Sequence, residues 1–71
     1  MDLCKKVMQI INEEFGEHLE GIRFTGPFEE EDLDVIITLK TEPQDFNERD
    51  RRLFWRLDET GYDVGFAFEF P

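Results

Sequence analysis

Asp32 and Asp34 stand two apart in the stretch Asp32-Leu33-Asp34-Val35-Ile36-Ile37, which alternates like a β-strand. Residues two apart on a strand project from one face, so the two carboxylates point together. Asp63 opens a second alternating stretch, and its parity puts it on the corresponding face of that strand. Two or three converging carboxylates supply the oxygen ligands that a hard divalent cation takes. Mg²⁺ or Mn²⁺ held in this way bridges phosphate oxygens in phosphoryl and nucleotidyl transfer. The plain alternative is that the pair is fortuitous, because 18 of the 71 residues are acidic.

Other reactive side chains are scarce. One cysteine, Cys4, excludes an intramolecular disulfide, and with one histidine, His18, it leaves too few ligands for structural zinc. Cys4 falls on the apolar side of a helix and reads as a small core residue. His18 lies between Glu17 and Glu20 and reads as a surface residue. Arg49, Arg52 and Arg56 recur at helical spacing, with Arg51 beside them. Asp45–Arg49 and Glu48–Arg52 have the i, i+4 spacing of helix ion pairs, so a salt-bridged outer face is expected. Trp55 adjoins that stripe. Tryptophan and arginine dominate interface hot spots, which makes Arg51, Arg52, Trp55 and Arg56 the candidate protein contact. Glu29, Glu30 and Glu31 form an acidic hairpin tip with Asp32, either simply solvated or a docking loop for a basic partner.

These residues need elements to position them. Leu3, Cys4, Val7, Met8, Ile10, Ile11 and Phe15 have helical spacing over residues 2–15. Asp2 is placed to cap that helix, and Gly16 to end it in a left-handed conformation. Glu17–Gly21 reads as a polar connection. Residues 22–28 alternate as a strand, with Ile22, Phe24 and Phe28 on one side and a bulge or edge position at Gly26-Pro27. Residues 33–40 form the clearest strand, with Leu33, Val35, Ile37 and Leu39 on its apolar face. Asp45 and Glu48 have capping-box spacing ahead of a second helix, which buries Phe46, Leu53, Phe54 and Leu57 and ends near Thr60-Gly61. Residues 62–70 alternate again: Tyr62, Val64, Phe66, Phe68 and Phe70 face inward, while Asp63 and Glu69 face outward. The result is an α+β domain spanning residues 1–71, a two-layer αββαβ sandwich with two helices on one face of a three-stranded mixed sheet. Strand order is not readable.

Composition bounds the function. A chain this short buries only about 60% of its unfolded surface, so its eight Phe are needed in the core and little interior is left for a pocket. The formal charge of −10 repels nucleic-acid phosphates and fits solubility, a basic partner or a divalent-cation site. No apolar run approaches the roughly 18 residues of a membrane span. Asp2, Lys5, Lys6 and Gln9 interrupt any leader-like apolar segment, so a cytoplasmic chain without membrane contact is expected.

The order helix, strand near a glycine, acidic loop and Asp32–Ile37 resembles the core of the minimal nucleotidyltransferases, over roughly residues 22–70. In that family a Gly-Ser pair precedes an Asp-x-Asp strand, and a later strand bears a third acid. The resemblance implies metal ligation by Asp32 and Asp34, with Asp63 as the third carboxylate. Here Gly26-Pro27 stands at the Gly-Ser position, and only five residues separate Gly26 from Asp32. Three function classes follow. The sequence favours a non-catalytic protein-interaction module, with no cofactor and no catalytic residue. The alternative is a metal-dependent nucleotidyltransferase-like domain, active or degenerate. The third is an acidic imitation of DNA, built from Glu13, Glu14, Glu17 and Glu20 with Glu29–Asp34.

Overall fold

The computed structural model describes residues 2–26 and 32–71. Helix α1 spans Leu3–Phe15, and the Asp2 carboxylate caps it by accepting the Cys4 amide at 3.0 Å. Val7, Ile10, Ile11 and Phe15 form its buried stripe. Gly16 does not end the helix in the left-handed region. Its φ of −31° and ψ of −64° continue into a 3-10 turn, Gly16–His18, that delivers the chain directly to the first strand.

That strand, β1, spans Leu19–Phe24 and so begins inside the segment expected to be a connection. Its register against the next strand shifts between Leu19 and Gly21. One irregularity thus lies at the start of β1; at its far end the Thr25 and Gly26 amides both donate to the Asp34 carbonyl, at 3.0 and 3.4 Å, two residues against one as expected beside Gly26, while Pro27 lies outside the described residues. An extra residue in one strand reverses side-chain parity across it. Leu19 thereby joins Ile22 and Phe24 in packing against the core. The expected hairpin tip, Glu29–Glu31, and the inward Phe28 lie outside the described residues.

Strand β2, Leu33–Leu39, is central and strictly alternating: Leu33, Val35, Ile37 and Leu39 are buried, and the residues between them half-buried. It pairs antiparallel with β1 and parallel with β3, Val64–Glu69, in the order β1-β2-β3. Helix α2, Phe46–Asp58, connects the parallel pair. The Asp45 carboxylate makes no cap to it; instead its Oδ1 accepts from Arg49 Nε at 2.8 Å. Gly61 has a φ of 84°, the left-handed conformation that glycine adopts without strain, and it turns the chain from α2 towards β3.

Two helices and a three-stranded mixed sheet make this an α+β protein. One buried cluster joins the α1 stripe, Leu53 and Leu57 of α2, and the apolar residues of β2. Phe46 and Phe68 pack on it edge to face, with centroids 4.9 Å apart, and both lie against the fully buried Phe15. Three aromatics expected inside are largely exposed: Phe54 at 58%, Tyr62 at 53% and Phe70 at 44%. Phe54 sits one residue from Leu53 and is turned off the buried stripe. Tyr62 and Phe70 lie just outside β3 at either end, where the alternation no longer has a ladder to enforce it. No helix among the described residues is long and apolar enough to cross a membrane.

Candidate functional site

The carboxylates with the most chemical promise are used locally. Asp32 stands before β2 and Asp63 before β3, side by side where the parallel pair begins. The backbone N–H of Asp32 donates to the Asp63 carbonyl at 2.8 Å, and the Asp63 N–H donates to Asp32 Oδ2 at 2.7 Å. The Asp32 side chain thus completes the ladder at its first rung. Asp34 lies one pleat further along, where its Oδ2 accepts from the Thr25 hydroxyl at 3.5 Å, the long limit of a hydrogen bond. Among the described residues, no three His, Cys, Asp or Glu side chains gather closely enough to hold a metal ion. Asp32, Asp34 and Asp63 are not gathered into one such group of three.

At the other end of the same sheet face, Arg23 of β1 reaches across β2 to pair with Glu69 of β3. Both side chains are more than half exposed, so the pair is solvent-screened and contributes little to stability. His18 is not a free surface residue. Its side chain is 23% exposed, with Nδ1 3.0 Å from the Thr41 hydroxyl and Nε2 3.6 Å from Glu17.

The arginine stripe on α2 has two jobs, and only one could be read from local spacing. The Asp45–Arg49 pair forms as expected. Arg52 does not pair with Glu48; it donates to Glu14 of α1 at 2.9 Å. Arg56 donates to the second oxygen of Glu14 at 3.2 Å and also to Glu13. Arg49 adds a 2.6 Å bond to the Glu14 carbonyl. The Glu14 side chain, 11% exposed, is held between two guanidinium groups and fastens α1 to α2. The bond from Arg56, then that from Gln9, holds the Glu13 carboxyl below its ordinary range. Arg52 and Arg56 are in turn raised, chiefly by their bonds to Glu14 and Glu13 respectively. These two arginines, expected to meet a partner, are first of all a helix–helix clamp.

What remains outward on α2 is narrower. Trp55 is 66% exposed. Arg51 is exposed, and among the described residues it makes no ion pair. Trp55 and Arg51, with Glu48 and the flanks of Arg52 and Arg56, line an open, shallow concavity. The sequence did not signal a second exposed strip, formed by Phe54 with Tyr62 and Val64 on one side and Phe66 on the other. Helical periodicity assigned Phe54 to the core, since its neighbour Leu53 is there.

No protein-family model, no curated protein and no solved structure matches this chain.

Proposed function

We propose that this chain is a non-catalytic protein-interaction module whose anchor is Trp55 on the outer face of α2. The observation that carries this reading is the 66% exposure of Trp55 beside the exposed guanidinium of Arg51, on a short chain most of whose other described aromatics pack against the core. A free indole in water gains most when a partner desolvates it, and arginine adds planar hydrogen bonding at the rim. The charge of −10 selects the partner: a basic protein is drawn in and an acidic one turned away, with an effect on association rate that fades as salt rises.

The reading is tested by placing a photoreactive phenylalanine analogue at position 55 in the cells that make the protein, with position 12 on α1 as the control. The expected result is one discrete protein adduct from position 55, suppressed by Arg51→Ala. The same adducts from both positions, or none from position 55, would end it.

A further inference from the structure

Strand β3 pairs with β2 on one side, and among the described residues nothing pairs with its other side. The direction of its unpaired groups follows from the register. Leu33 donates to the Asp63 carbonyl and stands opposite Val64. In a parallel ladder the residue facing such a donor turns its own N–H and C=O away from the neighbouring strand, and this repeats every second residue. Val64, Phe66 and Phe68 therefore direct their backbone groups to the open edge. Edge strands are usually blunted by lysine, proline or a bulge. Here Val64-Gly65-Phe66-Ala67-Phe68 carries none of these, and the next proline along the chain is Pro71.

The open edge has an apolar wall. Phe54, more than half exposed on α2, lines one concavity with Tyr62 and Val64 and another with Phe66. Backbone groups on a free edge beside pockets for alternate side chains are the two components of β-strand addition. The charges along this groove name the occupant. Asp58 and Asp63 line the first concavity; Asp50 lines the second, opposed by Arg51 alone. A second copy of the chain would bring the same acids and a further −10 to the edge.

We infer that the β3 edge is a docking site for an extended segment of another protein in which apolar side chains alternate with lysine or arginine. The segment adds a fourth strand beside β3 and sets its apolar side chains against Phe54 and Phe66, while its cations, on the opposite face of the same strand, stand in the negative field of the acids around the edge, Asp50, Asp58 and Asp63. This inference rests on the interaction-module reading but uses a surface other than Trp55, so the two can fail separately.

The test uses three nine-residue probes with the full chain. The first alternates lysine and valine. The second has the same sequence with every other backbone amide methylated, which keeps the charge and removes strand pairing. The third carries glutamate in place of lysine. With the first probe, the amides of Val64, Phe66 and Phe68 should shift and gain at least tenfold protection from hydrogen exchange. The methylated and glutamate probes should give no such protection. Phe54→Ser should weaken binding at least fivefold, and Val64→Pro, which removes one outward N–H from the edge, should do the same. Val64→Pro is read only alongside Phe54→Ser, whose exposed position leaves the fold intact. Equal binding by the methylated probe would overturn the inference, since charge alone would then explain it. So would shifts spread over the acidic surface without protection at β3. Dimerisation of the free chain through β3, seen by sedimentation and abolished by Val64→Pro, would overturn it in favour of a second copy. Each of these outcomes leaves crosslinking from position 55 unaffected.

Discussion

At the scale of single residues, the same side-chain types have different uses according to what stands next to them. Asp32 and Asp34 have the parity of a metal pair, yet the Asp32 oxygen holds the Asp63 amide and closes a backbone ladder. Adding Mg²⁺ or Mn²⁺ at millimolar concentration should therefore give a weak response spread over the acidic residues, read from amide chemical shifts. A selective response around Asp34 that vanishes in Asp34→Asn would restore the metal site. Trp55 presents the opposite case, a large apolar side chain with little to lose on folding. Trp55→Ala should change stability by no more than about 0.5 kcal/mol, as surface substitutions do. Phe15→Ala, at a fully buried ring among other aromatics, should cost about 3–5 kcal/mol. For a domain with about 5–15 kcal/mol in total, that loss is severe. Thermal unfolding of the two variants compares them directly.

At the scale of elements, alternation and helical spacing made both helices and all three strands legible, because each element has one face that must leave water. The parallel pairing of β2 with β3 followed from the helix between them. Boundaries and end contacts were less legible, and the reasons are local. Leu19 entered β1 because a register shift, which leaves no sequence pattern, brought it to the apolar side. Glu48 and Arg52 had ideal helix spacing, but Arg52 found a more enclosed carboxylate in Glu14, 38 residues away. Spacing rules count neighbours along one helix and are blind to the next. This helix–helix clamp makes its own prediction. Glu14→Ala should destabilise the protein by about 1–2 kcal/mol, between the worth of a charged hydrogen bond and that of an exposed pair, because both guanidinium groups remain partly solvated. Glu14→Gln should recover part of that loss by keeping an acceptor. Urea unfolding with an unchanged slope would assign the effect to the folded contact.

At the scale of the whole molecule, two electrostatic effects oppose each other, and their sizes decide the outcome. Among the described residues four arginines are engaged in pairs, while the chain as a whole keeps ten uncompensated negative charges. Acid acts on the pairs. Hydrogen bonds from Arg56 and Arg49 hold the Glu13 and Asp45 carboxyls below their ordinary ranges in the folded protein. Their contribution is therefore complete above the unfolded values of about 4.3 for Glu and 3.9 for Asp, and is lost as pH falls through the lower folded values. Stability should hold from neutral pH to about 5 and fall below about 4, and Glu13→Gln should flatten that fall. Salt at neutral pH acts on both effects at once. Raising NaCl from about 0.1 M to about 1 M shortens the screening length from roughly 10 Å to 3 Å. Exposed pairs contribute only about 0–1 kcal/mol each, so screening them costs little. Repulsion among ten unbalanced charges confined to one small domain extends over longer distances and is screened first. The unfolding midpoint should thus rise with salt. If it falls, the paired charges, with the clamp around Glu14 foremost, outweigh the repulsion of the surface.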